Sequence, residues 1–441
     1  MPHDPTTYRD LAERSWAWVQ TRVQSDENGP WLPEKPDESE PGEFAYGMHS
    51  GIAGLAHLLA EIRLTRELTA DERALADRIA ETLVRRISDQ TEFDYFDGLV
   101  STIGSLTALG ASGTDHAVAR LLELATPDGW QPSFLDPIRY APEGRCNDVT
   151  LGNAAVLIGA LWALRHDVPG AAELADTAAG VVLAEKEELP TGLNWVFVPR
   201  RFMLQPRGEM PNWSHGLAGI AGSLAAAGAA LDRPELTEAA RLGAEHLVTI
   251  ADTSDGGMRI GHVVPGHEDL DTYTYTWCHG PAGTSLLFAA LDHAGVDTVG
   301  DRATYDWERA CLHSLKVSGI PERVYPGFWD NDGRCCGTAG VGDVVLNVWQ
   351  RHGEDDDLAF AVTLGDAIAD RAIADRAIAD GDHVYWRFVE HRNADPLLPP
   401  GPGWMQGAAG IAAYLFRLAR VLDHGRDAEA VAAMDTWWAL P

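Results

Sequence analysis

A glycine-centred motif recurs seven times along this chain of 441 residues. Each copy approximates Gly-x-small-small and is followed by an apolar run, as in SHGLAGIAGSL and CHGPAGTSLLF. The spacing between copies, 47 to 70 residues, is too long for the common short solenoid units and fits a helical hairpin with its loops. The motif therefore predicts two helices per repeat. The first glycines of the copies are Gly51, Gly98, Gly152, Gly216, Gly280, Gly337 and Gly407.

The segments on the two sides of each motif differ in character. Those before it, such as TADERALADRIAETLVRRI, read as amphipathic helices with polar starts, whereas those after it, such as GLAGIAGSLAAAGAAL, are apolar nearly all round. A helix that is apolar on every side is buried. The sequence therefore predicts an all-α fold, a closed α/α toroid of seven inner and seven outer helices that forms a single domain over residues 1–441.

Three shorter stretches carry minor predictions. The segment AEAVAAMDTWWAL near the C-terminus reads as a short final helix, and the five-residue repeat in DAIADRAIADRAIAD (366–380) reads as an extension of an outer helix. Two stretches of strand-like composition, 193–205 and 383–391, predict small β-hairpins over the open end of the toroid, with plain loop packing as the alternative.

In a toroid the inner helices run in one direction, so the seven motifs gather at one end, here called the mouth. The positive ends of seven helix dipoles also meet there and favour thiolates and carboxylates. We call the residue two before each glycine a ring position and the residue one before it a mouth position. These pairs are His49-Ser50, Phe96-Asp97, Thr150-Leu151, Ser214-His215, Cys278-His279, Cys335-Cys336 and Met405-Gln406.

Three of the five cysteines occupy these positions, in the adjacent repeats five and six. Cys278, Cys335 and Cys336, with up to two imidazoles, offer the soft sulfur and nitrogen ligands that zinc takes. The alternatives are three small buried apolar side chains, or a vicinal disulfide between Cys335 and Cys336. Cys311 lies in an outer-helix pattern as a core residue, and Cys146 lies in a loop.

Three protein ligands would leave a zinc ion one open position, which is the catalytic rather than the structural pattern. Three thiolates give the site a net negative charge, so it is a poor Lewis acid for a carbonyl. It is better suited to holding an incoming thiol as a nucleophilic thiolate. The ligand set thus indicates thiol alkylation or thiol addition.

The charge of the chain excludes one class of partner. A formal net charge of −32, from 34 basic and 66 acidic residues, argues against nucleic-acid binding. The first residues lack a basic start and an apolar run, and no apolar stretch approaches the roughly 20 residues of a membrane span. Together with an odd number of cysteines, these features predict a cytoplasmic protein without membrane insertion.

Four motifs resemble those of the lanthionine synthetase C-like (LanC-like) cyclase family. They are NWSHGLAGIAG (212–222), WCHGPAG (277–283), CCGTAGVG (335–342) and GWMQGAAGI (403–411), and with the sevenfold glycine pattern they cover nearly the whole chain. The resemblance implies an α/α toroid with one catalytic Zn²⁺. The implied reaction is addition of a peptide cysteine thiol to dehydroalanine or dehydrobutyrine, which closes a thioether ring.

The resemblance also implies a ligand set. The zinc ligands of the family match Cys278, Cys335 and Cys336, and the commonest version of the family has histidine where this chain has Cys336. A smaller subgroup with the CCG motif has three cysteines, and this chain resembles that subgroup. We expect the third thiolate to make the substrate thiolate more reactive, and as a hypothesis less selective about which ring it closes.

The catalytic residues that the resemblance implies lie in repeats three to five. His215 matches the acid–base histidine, with a capping or core role as the alternative. Asp148 matches an aspartate that orients this histidine, and could equally be an N-terminal cap. His279 is expected to assist protonation. Thr274 occupies a place where some members have arginine, and His49 is interpreted as packing.

No part of the chain resembles a kinase, lyase or dehydratase, so the expected partners are a dehydrated precursor peptide and a separate dehydratase. One alternative keeps the chemistry but adds glutathione or another small thiol to dehydroamino acids. The other is a non-catalytic toroid that binds a peptide. A prenyltransferase-type zinc toroid is disfavoured, because its Asp, Cys and His ligands are not provided by the ring and mouth positions.

Overall fold

The computed structural model describes residues 2–35, 38–266, 272–322, 331–374, 377–389 and 397–441. These ranges contain fourteen α-helices, and none of the described helices is long and apolar enough to cross a membrane. The helices are α1 Pro5–Arg22, α2 Leu55–Thr65, α3 Ala70–Arg86, α4 Leu99–Leu109, α5 Thr114–Leu124, α6 Asn153–Arg165, α7 Ala171–Ala184, α8 Leu217–Ala230, α9 Pro234–Ile250, α10 Pro281–His293, α11 Thr304–Val317, α12 Thr338–His352, α13 Asp355–Ala374 and α14 Ala408–His424.

Short antiparallel hairpins decorate the loops. In the described residues they pair β1 with β2, β3 with β4, β5 with β6, β7 with β8 and β9 with β10. The strands are β1 Gln24–Asp26, β2 Gly29–Trp31, β3 Glu187–Leu189, β4 Gly192–Asn194, β5 Thr298–Val299, β6 Arg302–Ala303, β7 Ala377–Asp380, β8 His383–Trp386, β9 Phe388–Val389 and β10 Leu397–Leu398.

The even-numbered helices form the inner ring and the odd-numbered helices surround it, so the predicted α/α toroid is confirmed. Each inner helix packs against the next, and α14 packs against α2, which closes the ring. Burial follows the predicted polarity. Helix α8 buries twelve of its fourteen residues, whereas the outer helix α3 buries four of seventeen.

Six inner helices, α4 to α14, begin directly after a motif glycine, and Gly51 opens a 3₁₀ turn that leads into α2. The glycines are required because the preceding turn folds back onto them. A Cβ atom on Gly216 would lie 1.9 Å from the carbonyl oxygen of Met210. No side chain fits at this distance, so each of the seven motif glycines marks a place where the backbone of the preceding turn comes too close for a Cβ atom.

Backbone hydrogen bonds connect the ring positions of neighbouring repeats. In most repeats the N–H of a ring residue donates to the carbonyl of the next ring residue. These pairs, with N···O distances, are Ser214 to Cys278 (2.9 Å), Cys278 to Cys335 (3.4 Å), Cys335 to Met405 (2.7 Å), Met405 to His49 (2.9 Å) and His49 to Phe96 (3.3 Å).

Two further contacts complete this circle of seven repeats. The N–H of Tyr95 donates to the carbonyl of Thr150 at 2.8 Å, and the hydroxyl oxygen of Thr150 lies 3.1 Å from the carbonyl oxygen of Ser214. Because nearly all of these bonds use backbone atoms, the circle fixes the ring positions almost independently of their side chains. The side chains are thereby left available for chemistry.

The predicted final helix over residues 428–440 is wrong. In this segment the structure has only a 3₁₀ turn, Trp437–Ala439. The tail instead contacts inner helices and the interior of the toroid: the indole N–H of Trp438 donates to the Leu286 carbonyl at 3.1 Å, and Asp435 accepts from the indole N–H of Trp277 at 3.1 Å. Burial of these tryptophans overrides the local helix propensity.

Two other minor predictions are partly wrong. The five-residue repeat extends α13 only to Ala374, residues 375–376 lie outside the described residues, and the last copy forms β7, which pairs with β8. The stretch 193–205 contributes the end of β4, a 3₁₀ turn, Arg200–Phe202, and a single antiparallel bridge from Met203 to Tyr140. The stretch 383–389 does form strands, β8 and β9, while residues 390 and 391 lie outside the described residues.

Candidate metal and acid–base site

Three thiols converge at the mouth. Cys278 lies in the turn before α10, and Cys335 and Cys336 lie in the turn before α12; their Sγ atoms all lie within 4.8 Å of one another. The Sγ of Cys336 is 3.5 Å from the Sγ of Cys278 and 3.5 Å from that of Cys335. These distances exceed the roughly 2.05 Å of a disulfide bond, and all five cysteines are free thiols.

The geometry of the thiols fits a metal ion. In a tetrahedral zinc site with Zn–S bonds of about 2.3 Å, the ligand sulfurs are about 3.8 Å apart, which is close to the spacing seen here. Cys278 and Cys335 are buried, whereas Cys336 is partly exposed to the mouth. The cluster thus offers three soft ligands with one side open to a substrate.

Electrostatics within the cluster favour a bound cation. Hydrogen bonds from the thiols of Cys335 and Cys336 hold the pKa of the Cys278 thiol well below its ordinary value. The hydroxyl of Thr276 lies 3.2 Å from the Cys278 Sγ and contributes in the same direction. By contrast, hydrogen bonds with Cys278 and Cys336, together with burial and the negative charge of Cys278, raise the pKa of Cys335 well above its ordinary value. A thiolate is therefore already favoured at this place in the fold.

His215 and Asp148 form a pair at the mouth, although they are 67 residues apart. The Nδ1 atom of His215 lies 2.8 Å from the Oδ2 atom of Asp148, whose side chain is fully buried. A carboxylate only accepts, so Nδ1 donates, and Nε2 is the nitrogen left for a substrate. The side chain of His215 is 23% exposed, which gives it access to the mouth.

Asp148 makes the contacts expected for both roles that the sequence left open. Its carboxylate accepts from the backbone N–H of Leu151 at 3.2 Å, as a turn-capping residue does, and from the hydroxyl of Thr150 at 2.6 Å. The same carboxylate accepts a hydrogen bond from His215. Thr150 was not among the predicted site residues, although it occupies a ring position.

His279 lies beside His215, with 5.3 Å between the ring centroids. On its other side, the ring of His262 lies 4.3 Å away. Desolvation of the imidazole lowers the pKa of His279 to about 3, so the ring is neutral at pH 7. The three imidazoles form a row along the mouth. His262 was also missed, because it lies in a loop outside the repeat pattern.

Three other residues near the site, Thr274, His49 and Phe197, make hydrogen-bond or packing contacts. The hydroxyl of Thr274 donates to the carbonyl of His279 at 3.0 Å, so it supports the turn where some family members have arginine. The ring of His49 packs edge-on against Phe96, with 4.9 Å between centroids, and burial lowers its pKa to about 4. Phe197, also missed, packs edge-on against His215 at 5.3 Å.

The two remaining cysteines lie away from the cluster. Cys146 is buried with Tyr140, Val198 and Phe202 in a small second core, and Cys311 is buried in α11. Burial raises the pKa of both thiols, which keeps them protonated and unreactive.

The circular arrangement of helices and the thiol cluster define an α/α toroid with a candidate metal site at its mouth. The family model described as lanthionine synthetase C-like protein matches residues 42–423, so the chain belongs to the LanC-like family. A comparison with curated proteins gave no match.

Solved structures with this fold include proteins of different names. Nisin cyclase is similar with a TM-score of 0.57 and 13% identity, over 93% of each chain. D-mannose isomerase is similar with a TM-score of 0.50 and 11% identity, over 93% of this chain and 97% of the other. At such identities the likeness shows the fold alone, so the function must be argued from the site.

Proposed function

We propose that this protein is a zinc-dependent lanthipeptide cyclase. It adds a peptide cysteine thiol to dehydroalanine or dehydrobutyrine: an S–Cβ bond forms, the C=C double bond is lost, and the proton ends on Cα, giving lanthionine or methyllanthionine. The observation that carries the proposal is the cluster of three thiols at the same mouth as a histidine–aspartate pair, in a LanC-like chain.

Cys278, Cys335 and Cys336 would hold the zinc ion. When bound, the ion supplies the positive charge that lowers the pKa of the substrate thiol. The site differs from the commonest family pattern because Cys336 replaces a histidine. A third thiolate donates more charge than a neutral imidazole, so we expect a more reactive substrate thiolate.

His215 performs the proton transfers. Its Nδ1 is held by Asp148, so Nε2 accepts the proton of the substrate thiol and returns a proton to Cα after the S–C bond has formed. Asp148 acts through His215, since it fixes the tautomer and stabilises the imidazolium. His279, neutral and packed against His215, assists protonation as a hydrogen-bond donor.

The substrate would be a precursor peptide that a separate dehydratase has dehydrated, and the reaction would take place in the cytoplasm. These partners follow from the chemistry, because the cyclisation consumes an alkene that must be produced by loss of water from serine or threonine. His215 and Cys336 are both partly exposed at the mouth, so a peptide could reach them there.

The test combines metal content with activity. We would measure zinc by elemental analysis in the wild type, in Cys336→Ala and in the control Cys311→Ala, and follow thiol consumption and ring formation on a dehydroalanine peptide. We expect one zinc per chain in the wild type and in Cys311→Ala. Cys336→Ala should lose both the zinc and ring formation. Reduced wild-type protein without zinc would favour the peptide-binding toroid. Consumption of glutathione without ring formation would favour small-thiol addition.

A further inference from the structure

A cavity of about 350 Å³ opens at the mouth between repeats seven and one. Its walls include Phe388 of β9, Leu398 of β10 and Pro402, together with His49 and Gln406 from the circle of turns. Its volume lies at the lower end of the range of roughly 300–1,000 Å³ found for ligand pockets. Most of the walls are apolar and the imidazole of His49 is neutral at pH 7, while Glu34 and Lys35 contribute one acidic and one basic group.

The cavity is connected to the thiol cluster. Gln406 lines the cavity, and its Nε2 atom lies 3.9 Å from the Sγ of Cys336. The order of the repeats around the toroid fixes the relative positions: repeats three and four supply Asp148 and His215, repeats five and six supply the thiols, and repeats seven and one supply the cavity. The cavity therefore lies on the side of the thiols that is away from His215.

The position of the cavity determines which part of the peptide substrate can reach it. The alkene must lie between the sulfur and His215, because His215 returns the proton to Cα. The part of the peptide that carries the nucleophilic cysteine then extends to the opposite side. We propose that the cavity is a specificity subsite for an apolar side chain next to that cysteine, an inference that rests on the proposed cyclase function.

The chemistry of the walls selects the ligand class. Phe388, Leu398 and Pro402 offer apolar surface, and burial of a leucine-sized side chain there removes apolar area from water. Glu34 and Lys35 also line the cavity, and their opposite charges cancel, so a carboxylate in the same place would lose its hydration without meeting a net positive charge. We expect a preference of about tenfold in kcat/KM for leucine over aspartate beside the cysteine.

Two glycines provide a matched pair of variants. Gly401 lines the cavity, and a Cβ atom built on it meets nothing within 4 Å, so Gly401→Leu adds an apolar side chain at the cavity wall without a clash at the backbone. Gly180 in the outer helix α7 has equally open surroundings and serves as the control Gly180→Leu. The third variant, Leu398→Lys, adds a second cation to the wall besides Lys35, which gives the cavity a net positive charge, and leaves the thiols untouched.

The substrates are two synthetic dehydroalanine peptides that differ only in leucine or aspartate beside the cysteine, with N-acetylcysteine as a small thiol. We expect Gly401→Leu to lower kcat/KM for the leucine peptide about tenfold, Gly180→Leu to match the wild type, and Leu398→Lys to favour the aspartate peptide. All variants should still add N-acetylcysteine to dehydroalanine.

The outcomes separate the two proposals. Two results would overturn the subsite and leave the cyclase function standing, provided that N-acetylcysteine is still added. One is equal rates for both peptides in the wild type. The other is an unchanged preference for the leucine peptide in Gly401→Leu and Leu398→Lys. Absence of any thiol addition by zinc-loaded wild type would overturn both.

Discussion

The pairing of Asp148 with His215 makes a sharp prediction for Asp148→Asn. Asparagine keeps the size of the side chain, and its remaining oxygen can still accept from Leu151. Its N–H₂ group then replaces the oxygen that accepts from both Thr150 and His215, so the His215 tautomer with a free, basic Nε2 is no longer favoured. The loss is therefore kinetic more than structural.

We expect the rate of ring closure to fall about 100- to 10,000-fold, the range that a positioned acid–base group contributes. Zinc content should stay at the wild-type value, because Asp148 touches none of the three thiols. The assay is single-turnover ring closure on a dehydrated peptide, with elemental analysis of the same samples.

The chain contains a matched control for this variant. Asp94 lies four residues before its motif glycine, as Asp148 does, and its carboxylate accepts from the backbone N–H groups of Phe96 and Asp97, at 2.9 and 2.8 Å. The turn that it caps carries no histidine. Asp94→Asn and Asp148→Asn should each lower the free energy of unfolding by an amount on the order of 1–3 kcal/mol, but only Asp148→Asn should slow the reaction.

A double variant tests whether Asp148 acts through His215. Once His215→Ala has removed the imidazole, adding Asp148→Asn should change the rate by less than about threefold, since residues that act as a unit are not additive. Multiplicative losses would show that Asp148 acts independently. A single Asp148→Asn variant within threefold of wild type would refute the acid–base role of His215.

Three further predictions concern the metal, the thiols and one acidic residue. Cys336→His should retain zinc, close rings more slowly and give a more uniform set of ring products, measured by mass spectrometry. If the wild type gives an equally uniform set of products, the expected lower selectivity of its ring closure is wrong. Removal of metal by a chelator should leave the helical circular dichroism unchanged and make the partly exposed Cys336 react with a thiol reagent, while Cys146 and Cys311 react only after denaturation. Burial, with the charge of Asp94 and other nearby carboxylates, raises the pKa of Asp97 to about 8. The folded protein thus binds this proton more tightly than the unfolded chain does. The free energy of unfolding therefore falls as pH rises from about 4 to about 8. Asp97→Asn should flatten that part of the profile of Tm against pH.

The sequence alone was sufficient for the toroid and for the position of the thiols. Helix polarity is a local, periodic property, and the motif glycines mark close backbone approaches that no other residue tolerates. Because the circle of backbone hydrogen bonds holds each ring position in the same place, the register of Cys278 and Cys335 in the sequence translates directly into proximity in the fold.

The tertiary structure decided what no periodic pattern encodes. The bond between Asp148 and His215 joins residues from different repeats, and His262 approaches His279 from a loop outside the register. The C-terminal tail packs inside the toroid instead of forming a helix, since burying its tryptophans outweighs local propensity. The cavity beside Gln406 likewise exists only because the ring closes and brings repeat seven against repeat one. Local pattern fixes the elements and their order, whereas contacts between distant segments are set only when the circle is complete.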